Sequence, residues 1–287
     1  MNAKLLIFFL SIPFILRAHY DLAICAIFQN EASFMKEWID YHVQVGVQHF
    51  WLYNNNSTDH YKKVLQPYIN EGIVELIEWP SVQEENDVIN YSFTVQPGAY
   101  TNAIQRSTGK TKWLAIIDLD EFIVPAFGNS VVNILENFFV NESGICVNWQ
   151  CYGTSHVKKA PEGQMLRHLT LKMKWDHLKN RFFKSIVRPE KVSHCTNPHF
   201  VIYLPGFYHV NTIYEPIGDF DHSVNIHLLR INHYWTRDEW FLNKIKIPRY
   251  KKWGSALQSV MDEASQMNDT YDPITDYVTL PYNKPVL

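Results

Sequence analysis

The stretch Trp113-Leu114-Ala115-Ile116-Ile117 runs without a break into Asp118-Leu119-Asp120-Glu121-Phe122. Five apolar residues followed at once by carboxylates read as a buried strand with polar chemistry at its end. If the extended path continues, Asp118 and Asp120 point to the same side. Two carboxylates on one side of a strand end suit a hard divalent cation that carries phosphates. An Asp-x-Asp pair alone is also a common surface loop, so its meaning rests on its surroundings.

Upstream, the pattern is regular. Leu22 to Phe28 reads as a first buried strand. Asn30-Glu31-Ala32-Ser33 is a helix-start signature, and Phe34, Trp38, Tyr41 and Val45 recur at helical spacing until Gly46. His49 to Tyr53 is a second strand, closed by Asn54-Asn55-Asn56-Ser57. Tyr61, Val64, Leu65 and Tyr68 mark a second helix that ends at Gly72, and Ile73 to Trp79 is a third strand. A third helix is expected near 96–108, which makes 113–117 the fourth strand. Such β-α alternation predicts an α/β fold with a mostly parallel central sheet and helices on both faces. Ligands of such sheets bind beyond the carboxyl ends of the strands. Asn30 and Glu31, the triplet Asn54, Asn55 and Asn56, and the acidic motif all fall on that edge.

Downstream the pattern loosens. Short strand-like pieces occur at 144–151, 166–174 and 182–188. Lys184 and Arg188 are four apart, so in a strand they share a face. Two cations on a cleft face suit a diphosphate; on a sheet edge they are simply solvated. Leu228 to Tyr234 reads as a strand with His233 near its end. That imidazole either completes a carboxylate site, tilting the metal toward manganese, or is packed and hydrogen-bonded. Thr236-Arg237-Asp238-Glu239 reads as a capping box that opens a helix through Trp240, Phe241, Lys244 and Ile245, interrupted at Pro248. The division expected is a domain over 21–265, with halves 21–125 and 126–265, and a loosely packed tail over 266–287.

Composition narrows the classes. With 26 basic and 29 acidic residues in 287, the net charge is −3, so a general nucleic-acid binder is excluded. The start of the chain carries Lys4 and then an apolar run from Leu5 to Leu16. That run is short of the roughly 20 residues that span a bilayer, and residues 1–20 read as a signal peptide or short membrane anchor. The expected location is therefore membrane-associated or secreted. Cys25, Cys146, Cys151 and Cys195 lack zinc spacing; Cys25 reads as buried, and in an exported chain Cys146 could pair with Cys151 or Cys195. No GxxxxGK[ST], GxGxxG or HExxH occurs. An aspartyl phosphatase would carry Asp-x-Asp-x-Thr after its first strand, and a nucleotidyltransferase a Gly-rich, Arg-containing loop there. Neither is present.

Several ordered motifs together resemble glycosyltransferase family 92, a branch of the GT-A glycosyltransferases. They are the block from Ile24 to Glu31, Glu37-Trp38-Ile39-Asp40-Tyr41-His42, Gly46-Val47-Gln48-His49-Phe50, Tyr53-Asn54-Asn55-Asn56-Ser57, Asp118-Leu119-Asp120-Glu121-Phe122, Lys184-Ser185-Ile186-Val187-Arg188-Pro189, and His233-Tyr234. The resemblance covers about residues 22–250. It implies a GT-A, Rossmann-like fold and a metal-dependent transferase acting on a UDP-sugar and a glycan or glycoconjugate acceptor. Asp118, Asp120 and His233 would then hold Mn2+ or Mg2+. Asn30, Glu31, Asn54, Asn55, Asn56, Asp118, Lys184 and Arg188 would bind the nucleotide sugar. The family implies inverting transfer of galactose from UDP-galactose. The general base would come from the second half, with Asp176, Asp219 and Asp221 as candidates, while Glu121 orients the Asp pair or touches the donor sugar. Two departures stand out: Asn54 replaces a frequent Asp, and the hydrophobic start is short. The alternative is a non-catalytic glycan- or nucleotide-sugar-binding module, which would need a broken metal site.

Overall fold

The computed structural model describes residues 20–81, 90–218 and 220–274. The expected signal or anchor at 1–20 falls almost wholly outside them. Among the described residues no helix is long and apolar enough to cross a membrane.

The first half follows the sequence pattern closely. Strand β1 is Tyr20–Phe28, helix α1 Ala32–Gln44, β2 His49–Asn54, α2 Tyr61–Asn70 and β3 Val74–Glu78. Helix α3, Gln96–Ser107, follows a π turn at Tyr91–Val95, and β4 is Thr111–Ile116. The glycine stops are real: Gly46 and Gly72 have φ of +110° and +73°, conformations that cost other residues strain. A strand the spacing did not reveal, β5, occupies Glu121–Pro125.

The second half is built of shorter pieces. After α4 (Val131–Phe138) come β6 (Gly144–Cys151), the single turn α5 (Met165–His168), β7 (Leu171–Lys172) and β8 (Phe183–Val187). Next are β9 (Val192–Cys195), β10 (Val201–Tyr203), β11 (Val210–Asn211) and β12 (Leu229–His233). The predicted piece at 166–174 is thus mainly a helical turn and a two-residue strand. The last helix starts as α6 (Glu239–Phe241), passes a π turn at Leu242–Lys246, and continues as α7 (Ile247–Lys252). Pro248 therefore does not interrupt it: the wider π turn ahead of Pro248 removes the demand on its missing N–H. The cap is Asp238, whose carboxylate accepts from the Phe241 N–H at 2.8 Å, and not Thr236. Helix α8 (Leu257–Gln266) and strand β13 (Thr270–Tyr271) are the last elements among the described residues.

The main sheet has the order β3-β2-β1-β4-β8-β6-β12-β5, with β11 beside β6. β3, β2, β1 and β4 are parallel, β8 is antiparallel to β4 and β6, and β12 runs parallel to β6 and antiparallel to β5. This is the expected GT-A arrangement. Alternate residues of β1 divide two cores, as the period of two requires. Leu22, Ile24 and Ala26 pack with α1, α2 and α4, while Ala23, Cys25 and Ile27 pack with α3 and β9.

Two further expectations are corrected. All four cysteines are free and buried, so no disulfide forms. Residues 266–274 are not a tail: β13 pairs with β7, Ile274 is fully buried, and Asp272 bonds Lys172 at 2.6 Å and Arg230 at 3.0 Å.

Candidate active site

The order β2-β1-β4 reverses direction at β1, so β1 and β4 diverge above their carboxyl ends and leave a crevice. A cleft of about 900 Å³ opens there, and Glu31, Asp118, Asp120, Trp149, His199 and His233 line it. The helical segment Glu239–Lys252 adds Lys246 and Arg249 to the lining.

The acidic motif sits on a turn and not on a continuing strand. β4 ends at Ile116, and the Glu121 N–H bonds back to the Asp118 carbonyl at 3.1 Å. The turn sends the two carboxylates to different partners, against the same-side expectation. Asp118 Oδ2 accepts from Lys184 Nζ at 2.7 Å, and its Oδ1 accepts from Tyr100 at 2.8 Å and Gln96 at 3.0 Å. Burial alone would push Asp118 upward, but the Lys184 charge and these donors hold it below the usual carboxylate range. Asp120 Oδ1 lies 3.7 Å from His233 Nε2, and its Oδ2 accepts from Lys246 Nζ at 3.2 Å. Burial opposes ionisation of Asp120 too, yet Lys246, His233 and Arg237 leave its affinity for a proton well below normal.

His233 lines the same cleft. It comes in on the end of β12, which pairs Glu121 with His233 across the sheet. Burial lowers its pKa to about 3, so the imidazole is neutral at physiological pH, the form that binds metals. Its ring packs on Trp149 at 4.2 Å, and Nδ1 has no partner among the described residues. A carboxylate and a neutral imidazole 3.7 Å apart fit a divalent cation that takes its remaining ligands from phosphates and water. Asp118 also lines the cleft with its side chain 30% exposed, and its three donors leave part of the carboxylate's acceptor capacity unused. Among the described residues no three His, Cys, Asp or Glu side chains converge to hold a metal by themselves.

Other expected residues are placed differently. Lys184 is fully buried behind Asp118, also 3.5 Å from Glu121, and it balances these acids instead of facing the cleft. Arg188 lies one residue beyond β8, at the end remote from the motif. It bonds the carbonyls of Glu142 at 3.0 Å and Val140 at 2.9 Å and stacks on Trp113. Glu121 is completely buried; its Oε2 accepts from the Asp118 N–H at 2.9 Å, so it orients the motif. The Asn triplet builds the loop after β2. Asn54 bonds Tyr61 and Glu78, Asn55 bonds Trp79 and Ser81, and Asn56 bonds the Ser81 carbonyl. None of the three lines the cleft. Asn30, at φ +58°, accepts from the Thr58 N–H and holds the same loop. Glu31 does line the cleft and pairs with Arg237, which is clamped between Phe34 and Phe241.

Of the expected bases, Asp176 is exposed in a turn and Asp221 is buried against Ser223; neither lines the cleft. Asp219 lies outside the described residues. The sequence reading missed His199. Its Nδ1 lies 3.0 Å from the Phe183 carbonyl, which only accepts, so Nδ1 carries the proton. Nε2 is then a lone-pair acceptor with no partner among the described residues. Burial and Lys184 lower its pKa to about 4. Gln96, Tyr100, Arg237 and Lys246 were also missed. Only the first pair left a trace, as polar residues four apart on one helix face.

Comparison with known proteins places the chain in a family. The profile of glycosyltransferase family 92 matches residues 20–268. A Ricinus communis protein of that family is 27% identical over 178 residues, covering 61% of this chain and 30% of the plant protein. The Caenorhabditis elegans beta-1,4-galactosyltransferase galt-1 is 23% identical over 87% of this chain and 56% of its own. The Arabidopsis thaliana galactan beta-1,4-galactosyltransferase GALS1 is 27% identical over 42% of this chain and 25% of its own. The chain thus spans under a third of the length of the first plant relative.

Proposed function

The chain belongs to glycosyltransferase family 92, and from that premise we propose that it moves a hexose from a nucleotide sugar onto a glycan. One observation carries the reading: the cleft beyond β1 and β4 sets Asp120 and His233 3.7 Å apart on its wall. The donor proposed is UDP-galactose, in keeping with the names of galt-1 and GALS1. Sugar nucleotides of this kind carry the hexose in α linkage, so a β product requires inversion.

Asp120 and His233 are the residues that would hold manganese or magnesium. When bound, the ion supplies positive charge against the charge building on the leaving diphosphate. Lys246, beside Asp120, and Arg249 add fixed positive charge to the cleft. Asp118 is locked by Lys184, Tyr100 and Gln96, so it shapes the turn that presents Asp120. In the transfer itself, the acceptor oxygen attacks the anomeric carbon from the face opposite the diphosphate. The bond from that carbon to the phosphate oxygen breaks and its electron pair leaves with UDP. The acceptor proton goes to His199 Nε2, the ring nitrogen left unprotonated by the Nδ1 bond to the Phe183 carbonyl. A bound diphosphate nearby raises the proton affinity of that nitrogen.

The test is UDP release from a panel of UDP-sugars, with and without manganese, for the native chain and Asp120→Ala. The expected result is turnover of UDP-galactose that stops with EDTA and falls at least ~100-fold in the variant. Manganese-dependent UDP binding without turnover on any acceptor would favour the non-catalytic module. Folded protein that neither binds nor turns over a UDP-sugar overturns the proposal.

A further inference from the structure

A second cavity, of about 570 Å³, opens beside the donor cleft. One side is the segment His177 to Phe182, the other is α8 with Ser259, Asp262 and Gln266, and Phe220 closes an end. Its size lies within the range of small-molecule sites, about 300–1,000 Å³. Leu178 and Phe220 stay exposed there, at 64% and 39%.

The two cavities share a wall. Phe182 lines the second cavity, and its ring lies 5.3 Å from Trp149 and 5.5 Å from His199, both of which line the donor cleft. Phe220 extends the row, 6.4 Å from Phe182 and perpendicular to it. The rings therefore run from His233 through Trp149 and Phe182 to Phe220. At the junction, the Trp149 indole N–H is buried without a partner among the described residues. That is a donor awaiting an acceptor, a state that folded proteins rarely leave unexplained.

The chemistry of the rim selects an occupant. His177 bonds Gln266 at 3.1 Å, Lys179 is neutralised by Glu263 at 2.9 Å, and Asp262 accepts from Gln258. Apart from that neutralised pair, Asp262 is the formal charge on the rim, so a phosphate or a polyanionic chain is disfavoured. Apolar surface from Leu178, Phe182 and Phe220, with hydroxyl-, amide- and carboxylate-bearing edges, matches a pyranose chain. Its C–H faces lie on that surface, and its hydroxyls reach the polar edges.

We propose that this groove binds the acceptor, a neutral oligosaccharide, and delivers its terminal hydroxyl past Phe182 to His199. The inference rests on the transferase reading, and its test separates the two. Binding of β-1,4-linked galactotetraose and of chitotetraose is measured by calorimetry and saturation-transfer NMR, with UDP and manganese present. The variants are Phe220→Ala and, on the other side of the groove, Leu178→Ala, each checked for native melting behaviour. At least one tetrasaccharide should bind, and Phe220→Ala should weaken it at least tenfold while UDP affinity stays within twofold. Failure of both sugars to bind protein that does bind UDP overturns the groove. So does tetrasaccharide binding indifferent to both variants. Loss of UDP binding with retained, Phe220-dependent sugar binding would overturn the transferase reading and leave the groove standing.

Discussion

Residues 20–125 and residues 144–274 build opposite sides of one charge cluster. The first half contributes the acids Glu31, Asp118, Asp120 and Glu121. The second contributes their counter-charges, Arg237, Lys184 and Lys246, and the neutral imidazole of His233. The halves also differ in construction. In the first, β1, β2 and β3 pair in sequence through single helices and β4 returns to the other edge of β1, so periodicity marks out these elements. In the second, strands are two to eight residues long, and β8 is wedged between β4 and β6 from far along the chain. The acids of a site can thus be read where they stand, whereas their partners depend on which distant segments meet.

Lys184 gives the sharpest test, with the largest expected effect. Its alternation with apolar neighbours identified its face, but periodicity carries no information about depth. The structure puts it at zero exposure between Asp118 and Glu121. Lys184→Met keeps the volume and strands buried carboxylates without their cation, which costs about 3–5 kcal/mol. Urea unfolding measures the loss. Adding Asp118→Asn to Lys184→Met should recover more than about 1 kcal/mol, because a neutral amide is cheaper to bury than an unpaired carboxylate. A loss under about 1 kcal/mol for Lys184→Met would break the comparison, since the halves would then meet without depending on each other's charge.

The same comparison explains what was legible. β1 to β4, α1 to α3, the acidic motif and His233 stood in the sequence because local pattern decides them. β5 was hidden because the turn at 118–121 reverses the chain within the motif itself. Arg237 was hidden inside an apparent capping box, because only the fold reveals that Phe34 and Glu31 surround it. The Asn triplet looked like a binding loop, yet its amides are consumed by Tyr61, Glu78, Trp79 and Ser81. Polar residues on a strand edge satisfy the loop first, and only what remains is free for a ligand.

A smaller effect tests the first half alone, through pH. His42 is buried on α1; its Nδ1 donates to the Trp38 carbonyl at 2.8 Å, and its Nε2 accepts from the Ile123 N–H at 3.2 Å. The bond accepted by Nε2 needs the neutral ring, and burial lowers its pKa to about 3. The unfolded imidazole takes a proton near 6.5, so between pH 6.5 and 3 the unfolded state binds more protons. The stabilisation is complete above pH 6.5 and falls as pH drops, by about 2 kcal/mol at pH 5 from this residue. Urea midpoints for the native chain and His42→Gln should differ in slope by about one proton between pH 6 and pH 4. Parallel slopes would mean that the first half is not closed around a neutral ring.

The smallest effect asks how local the regular half really is. Asn30-Glu31-Ala32-Ser33 reads as a self-contained helix start, but Glu31 makes no capping bond to α1. The first N–H groups of α1 still need acceptors, since no preceding turn exists to supply them. One is supplied from 27 residues away, where Asp59 Oδ2 accepts from the Ala32 N–H at 2.8 Å. Asp59 also faces the Tyr61 N–H at 3.3 Å, so a single carboxylate ties the starts of α1 and α2 together. Its negative charge further suits two helix N-termini. Asp59→Ala should therefore destabilise the chain by about 1 kcal/mol, the usual worth of a lost cap. Ser33→Ala, on the exposed side of the same turn, should stay within about 0.5 kcal/mol. The reverse order in urea unfolding would return the helix start to its local signature. It would also mean that the loop after β2 is free of α1, and then the amides of that loop could be spared for a ligand after all.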